Sequence, residues 1–588
     1  MFRPIRRSFV YLSAAAIFVL VLLLANGLGW GPSTGIRGHR SSSWCPIIPP
    51  RKPYRPAKVP GFNWKSVTLK HPISSFIQLS RSRPANLRSI QHSFSEPSFQ
   101  AEVIRTERRD MVKRVFKRCW NSYKEKAWLA DELSPISGEP KNPFGGFAAT
   151  LIDNLDTLWI MDMKEEFETA VAAAMNISFE PDTSTEEKIN IFETTIRHLG
   201  GLLAAYDLTG CKDKRLLDKA IQLGDMIYLT FDTEHHMPVT RWNPRSAANG
   251  EEQGAADHAI IAELASSSLE MTRLSQLTGD MRYFDIIQRI TDLMDSQQNQ
   301  TKLPGMWGIG INLETLDLTY DDVFGLGAMS DSAYEYLPKM YALLGGIGQA
   351  PQYERIYKYA ADTIIRHILF RPMVPDEADI LFAGIGHADD PSNPYIEPQC
   401  QHLTCFVGGM LSLGGRLVKN ETHIAFGRKV AEGCVWAYRK SPLGIMPEFF
   451  HMVKCPSRSN CTWDEALWFS ERNSDNAPPG FASIDDSRYI LRPEALESVF
   501  YLYRITGDPQ WQEYAWEMFS AVERYTRTEL ANAAIEDVIQ DPPVQMDSME
   551  SFWMAETLKY LYLVFSEPDF VSLDEYVFNT EAHPFRRP

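Results

Sequence analysis

From about residue 105 to the end of the chain, apolar residues recur at helical spacing in paired segments. The pairs are clearest in AAYDLTGCKDKRLLDKAIQLGDMI, TRLSQLTGDMRYFDIIQRITDLM and LYRITGDPQWQEYAWEMFSAV, with YALLGGIGQAPQYERIYKYAADTI a weaker copy. Each reads as a helix, a turn ending in Gly, and a second helix begun by Asp or Pro. Gly210, Gly279 and Gly345 mark a period of roughly 65–70 residues, the length of a helical hairpin plus its loop. About seven such hairpins fit the chain, the first from Arg105 to Met175 and the last from Ser548 to the end. Strand-like alternation is scarce. A ring of hairpins leaves no apolar end to cap, and the terminal stretch SMESFWMAETLKYLYLVF followed by YVFNTEAHPF is no polar cap. The pattern predicts an all-α fold, a closed (α/α)7 barrel spanning 105–588.

The first hundred residues follow another pattern. No charged side chain lies between Arg7 and Arg37, and Phe9 to Leu28 gives about 20 largely apolar residues, enough to cross a bilayer as a helix. Arg3, Arg6 and Arg7 precede it, which places a tail (1–8) in the cytoplasm and the rest across the membrane. A cleaved signal peptide ending near Ala25 and Gly27 is the rival reading, but the apolar run is long for one. The expectation is a signal anchor at 9–28 and a flexible lumenal stem at 29–104, rich in Pro, Ser and Arg.

Charge sharpens this division. The net charge of -16 conceals eleven Lys/Arg against the single Glu96 between residues 29 and 100, so the remainder is strongly acidic. Such a body argues against nucleic acid and suits metal ions or neutral polar ligands. Eight Cys and sequons at Asn176, Asn299, Asn420 and Asn460 fit an oxidising compartment, and Cys455 with Cys461 is a candidate bridge.

The more apolar helix of each pair, expected on the inside of the ring, nonetheless carries acids near its start. Glu193 stands four residues before Arg197, Asp331 four before Glu335, and Glu494 three before Glu497 beside Arg492; Glu263, Glu550 and Glu556 occupy similar places. Taken singly, each is an ordinary dipole or capping residue, or an intrahelical ion pair. In a ring, however, all these starts face one end, and burying so many acids without purpose is costly. Paired carboxylates around a pocket are what glycosidic cleavage requires, one protonated and one ionised. Surplus carboxylates would hold sugar hydroxyls or a hard cation such as calcium. HExxH and GxSxG are absent, the spacing of CPSRSNC is wrong for zinc, EHH at 234–236 reads as surface, and WGIGIN lacks the lysine of a phosphate cradle.

FETTIRHLGGLLAAYDLTG, SDSAYEYLPKMY, LRPEALESVFYLYRITGD, MESFWMAETLKYLYLVF and VFNTEAHPF together resemble the class I α-1,2-mannosidases, glycoside hydrolase family 47, over about 105–585. The resemblance implies an (α/α)7 barrel that needs Ca2+ and removes α-1,2-linked mannose from high-mannose N-glycans with inversion. It also implies a type II membrane protein of the Golgi or ER, with a lumenal and monomeric catalytic domain. Carried over by motif, Glu193 is the acid that protonates the leaving group through a water, Asp331 is the other acid candidate, and Glu494 is the base. Thr580 is the direct calcium ligand, delivered by a C-terminal tail that plugs the barrel. Arg197, Glu263, Arg492, Glu497, Phe552, Glu556 and Glu581 line the sugar subsite, and Cys405 pairs with Cys434. Members that remove a single mannose carry Arg where this chain has Met329, which implies broader trimming here. A family relative acting in ER-associated degradation is the alternative, though such relatives typically lack the Cys405–Cys434 bridge. A non-catalytic glycan-binding barrel would not need both Glu193 and Glu494.

Overall fold

Seven buried helical segments form an inner ring in the computed structural model: Ala149–Ile160, Ile191–Leu208, Ile261–Thr278, Asp331–Leu343, Phe406–Val418, Glu494–Thr506 and Trp553–Val564, several broken by a tight turn. The structure describes residues 45–57, 61–85, 87–473 and 477–588. Ser268–Thr278 and Leu558–Val564 are buried at every position, as helices walled on all sides must be. Outer helices bury one stripe only. Gln510–Thr526 hides Trp511, Ala515, Met518, Phe519 and Val522, at the three- and four-residue spacing of a single face. Gly279 and Gly507 end inner helices in the left-handed region, φ 74° and 72°, where a side chain would be strained.

Consecutive inner segments are neighbours, and Ala149–Asp153 packs on Trp553–Thr557, so the ring closes. The pairing at the closure differs from the expected hairpin order. Phe99–Lys126 is the outer partner of Leu558–Val564, so the first helix of the barrel covers the last inner one. It begins at Phe99, not Arg105, because Ser98 caps it by accepting from Ala101 N at 3.2 Å. The chain end, expected to complete a hairpin, instead forms a short antiparallel ribbon, Tyr576–Phe578 with Pro584–Arg586. Its fully buried Phe578 packs on Phe500 and Tyr560 of two inner helices, centroids 5.5 and 6.0 Å away, which places the ribbon inside the ring.

The expected tail and anchor lie outside the described residues, among which no helix is long and apolar enough to cross a membrane. The described residues between 45 and 97, part of the expected flexible stem at 29–104, are instead a strap laid over the barrel. Cys45 is disulfide-bonded to Cys211, Trp64 is buried with its Nε1 donating to Phe179 O, and Leu79 and Ile90 are buried. Tyr54 N, Ala85 N and His92 N donate to Thr278 O, Gly345 O and Arg504 O, at the C-terminal ends of inner helices. Asp232, Asp285 and Asp574 accept from further strap amides. The segment has no periodicity because it borrows the barrel's surface as its core. Burying Trp64 alone contributes on the order of 2–3 kcal/mol.

Candidate active site

The acids singled out in the sequence gather at the end of the ring opposite the strap, where the inner helices begin. Asn190 accepts from Glu193 N and starts the second inner segment. The next turn, Thr194–Leu199, is wound as a π-helix, a form that recurs at functional sites. Arg197 in that turn is a hub. Its Nε donates to Glu193 Oε2 at 2.8 Å, and its Nη1 donates to Glu581 Oε2 at 2.8 Å and Ser551 Oγ at 3.1 Å, with Asp153 3.7 Å away. The guanidinium also lies over the rings of Phe144 and Phe552, 4.8 and 5.8 Å from their centroids. Glu581 is hydrogen-bonded to Glu556, which sits in the second π-wound turn, Trp553–Thr557.

Glu494 opens the sixth inner helix. His402 Nδ1 lies 2.9 Å from Glu494 Oε2, and His402 Nε2 lies 2.8 Å from Tyr438 Oη. An ionised carboxylate only accepts, which puts the imidazole proton on Nδ1 and lets Tyr438 donate to Nε2. Arg492 Nη1 is 3.8 Å from Glu494 Oε1, and its Nε donates to buried Glu448. Burial opposes the charge on Glu494, but the bond from His402 and the field of Arg492 outweigh it and hold the carboxyl below its usual range. Asp331 behaves oppositely. Burial, with Glu335 and Glu494 nearby, pushes it up to about 7. Two neighbouring carboxyls are thus driven to different protonation states, the arrangement expected of an acid and a base.

Glu497 is pushed up to about 8 by burial and by Glu335 and Glu494, although Lys339 reaches between it and Glu335. Burial and Glu581 raise Glu556 well above the carboxylate range, and Glu581 itself stands at about 7. Glu263 pairs with Arg241 at 2.6 Å, and the adjacent Ala262 N donates to Met329 O, so its helix start lies beside that of Asp331. All the predicted subsite residues therefore fall in one region. The electrostatic network runs from Glu193 through Arg197, Glu581, Glu556 and Glu494 to Asp331 and Glu497, while Glu263 joins through its backbone.

The turn of the C-terminal ribbon is held from below. Asn579 Nδ2 donates to Glu270 Oε1 and Ile196 O, Thr580 N donates to Tyr336 Oη, and Tyr336 donates to Glu270. His583 sits between Asp153 and Asp156, 3.1 Å from each, and Lys559 donates to Asp156 and Ala582 O. Burial disfavours a charged His583, yet the two carboxylates win and raise its pKa.

Sequence reasoning missed several of these residues. The sequence does not single out His402, which stands three residues before Cys405 and at no inner-helix start. Asp153 and Asp156, three apart in the otherwise apolar TLIDNLDTLWI, are misplaced charges of the same kind as Glu494 and Glu497. Cys405–Cys434 and Cys455–Cys461 are both bonded as expected, Cys45–Cys211 is a further bridge, and Cys119 and Cys400 are buried and free.

The family described as glycosyl hydrolase family 47 matches residues 115–587. The chain belongs to that family. It is a glycoside hydrolase on an (α/α)7 barrel. It is 35% identical over 474 residues to the human endoplasmic reticulum mannosyl-oligosaccharide 1,2-alpha-mannosidase, a match spanning 80% of this chain and 62% of that one. It is 34% identical over 515 residues to the mannosyl-oligosaccharide alpha-1,2-mannosidase of Coccidioides posadasii, spanning 84% and 93%. The solved alpha-1,2-mannosidase of Trichoderma reesei superposes with TM-score 0.72 at 32% identity, covering 82% of this chain and 99% of that one. The family match begins at Val115, so the strap at 45–97 lies outside it.

The site's chemistry fits a bound hard cation. Glu335, Glu497, Glu556 and Glu581 are buried oxygen donors, and three of the four are driven toward protonation by burial and mutual repulsion, which a dication would relieve. Thr580, half-buried at the turn beside Glu581, adds a carbonyl and a hydroxyl.

Proposed function

We propose that this glycoside hydrolase is a mannosyl-oligosaccharide 1,2-α-mannosidase that removes α-1,2-linked mannose from high-mannose N-glycans, with Ca2+, by inversion. The observation that carries this reading is one ring of acids in which His402 and Arg492 hold Glu494 while Asp331 is shut in near Glu335 and Glu494, which drives the two carboxyls toward opposite protonation. Glu494, ionised and oriented by His402, takes a proton from the attacking water. Two carboxyls compete to protonate the leaving oxygen: Asp331, which holds a proton near neutrality, and Glu193, acting through a water beside Arg197. Phe552, Glu263, Arg492 and Glu556 border the space a mannose ring would occupy. Thr580 would hold Ca2+ with water as its partners, and the ion would supply charge and coordination sites for sugar hydroxyls.

The finer reading is broad trimming. Met329 is 50% exposed at the rim, two residues before Asp331, and is held at φ 76°; its thioether cannot donate the hydrogen bonds by which an Arg would anchor one branch. The acidic body and the disulfides suit the secretory lumen, and the apolar segment 9–28 supports a type II anchor in the Golgi or ER membrane. The Cys405–Cys434 bridge favours a processing enzyme over the degradation-associated alternative.

The test is incubation of the full chain with a nine-mannose glycan, with and without EDTA, following free mannose and its anomer by NMR. β-Mannose released only with calcium present is the expected result. Release of α-mannose, or release that EDTA leaves untouched, overturns the mechanism, and arrest at a single eight-mannose isomer overturns broad trimming.

A further inference from the structure

Two small sheets flank the mouth, and one strand runs through both. Tyr395–Glu397 pairs with Ile385–His387, which pairs with Val323–Phe324. After Pro398, Gln399–Gln401 pairs with Phe449–Met452, which pairs with Phe481–Asp486. Glu397 stands at the corner where the strand changes sheets. One histidine from each sheet clasps its carboxylate: His387 Nε2 is 3.1 Å from Oε2, and His451 Nε2 is 3.2 Å from Oε1. Tyr395 stacks on His387, centroids 4.8 Å apart. On its other side, His451 Nδ1 is 2.6 Å from Asp485 Oδ2 and 3.4 Å from Ser483 Oγ, and Ser483 donates to Asp485.

The strand then reaches the site. Gln401 Oε1 accepts from Ala328 N beside Met329, and His402 holds Glu494. Glu397 is therefore five residues upstream of the imidazole that orients the base.

His451 has carboxylate oxygens on both ring nitrogens. A neutral imidazole owns one N–H and would turn a lone pair toward one of them, whereas imidazolium donates to both. Burial works against the charge on Glu397, but the hydrogen bonds from His451 and His387 overcome it and hold its pKa low.

We propose that Glu397 is a positioning residue, clasped by His387 and His451, that fixes the strand delivering Gln401 and His402. The inference rests on the assignment of Glu494 and the Met329 loop to substrate. As the clasp is partly exposed, its loss lowers kcat/KM by about two- to fivefold.

The test compares the full chain with its Glu397→Gln and Glu397→Ala variants on a nine-mannose glycan. Glu397→Ala leaves both histidines without their shared acceptor and should lower kcat/KM by about two- to fivefold, while Glu397→Gln keeps an oxygen for one of them and should recover part of the loss. An Ala variant with wild-type kcat/KM, or Gln and Ala variants equally impaired, overturns the proposal. Should the wild type release no mannose, the proposed function falls, and the clasp is still read by melting: Glu397→Ala must lower the Tm more than Glu397→Gln. Equal Tm values overturn it.

Discussion

Replacing Arg197 with Met probes the acid ring at its most connected point. The guanidinium is 7% exposed and faces Glu193, Glu581 and Asp153. Methionine fills much of the volume but leaves the buried Asp153 and Glu581 and the partly buried Glu193 without their cation. Removing one partner of a buried ion pair costs about 3–5 kcal/mol. At about 2 °C per kcal/mol for a chain of this size, the Tm at pH 7 should fall by roughly 6–10 °C.

The pH dependence separates this account from a simple packing defect. Glu581 stands at about 7 even with Arg197 present, because burial together with Asp153 and Glu193 outweighs the guanidinium. Without Arg197 it rises further, so above about pH 7 the wild type ionises Glu581 while the folded variant still binds a proton that the unfolded chain releases, and the variant's deficit grows with pH. A carboxyl so affected adds about 1.4 kcal/mol per pH unit above the wild-type value. Differential scanning fluorimetry at pH 6 and pH 8 should therefore show a deficit smaller at pH 6 by about 3 °C. A deficit of equal size at both values, or none, would refute the reasoning. Arg197→Lys keeps the charge but not the fork of donors, and it should fall between the two.

Glu494→Gln should lower kcat by about 10²–10⁴ while glycan still binds, measured by mannose release and by equilibrium binding. Met329→Arg should slow the later trimming steps by about fivefold, about one hydrogen bond's worth, seen as accumulation of an eight-mannose product in a time course. Cys405→Ser opens a bridge with a sequence separation of 29 and should cost about 3.5 kcal/mol, read as a lowered Tm. Cys45→Ser should speed proteolysis of residues 45–97 and leave mannose release intact, because the strap crosses the far end of the barrel from the acids.

What the sequence disclosed followed from what is periodic. Inner and outer helices differ in apolar width, and Gly210, Gly279, Gly345 and Gly507 mark four of the returns, so most of the ring was legible; the turns at Asp162 and Lys419 adopt the same left-handed backbone without Gly and carry no such mark. The acids at the inner-helix starts were visible as misplaced charges. What stayed hidden was set by contacts between distant segments. Phe99–Lys126 has the mixed surface of any outer helix, and nothing local tells that it covers Leu558–Val564. The strap carries Trp64, Leu79 and Ile90 too far apart for any period, and its buried faces exist only against the finished barrel. The π-wound turns at Thr194–Leu199 and Trp553–Thr557 left no trace, since a widened turn keeps nearly the same spacing of apolar residues.

The fold also explains how so many carboxyls can be buried together. Each outer helix carries the chain back to the same end, so all seven inner segments start at the mouth and present their free amides and positive dipole ends to it. An acid in such a first turn is stabilised by about 0.3–1 kcal/mol, and up to about 2 kcal/mol where partly buried. That offsets part of the desolvation of Glu193, Glu263 and Glu494, each in the first turn of its helix. It does not offset all of it. Asp331, also in a first turn, still rises to about 7, and Glu581, which comes from the ribbon and has no helix behind it, does the same. The ring therefore holds a mixture of charged and protonated carboxyls at neutral pH. A site that must keep one carboxyl protonated beside another that is ionised needs that mixture, and parallel inner helices closed around a shared mouth supply it.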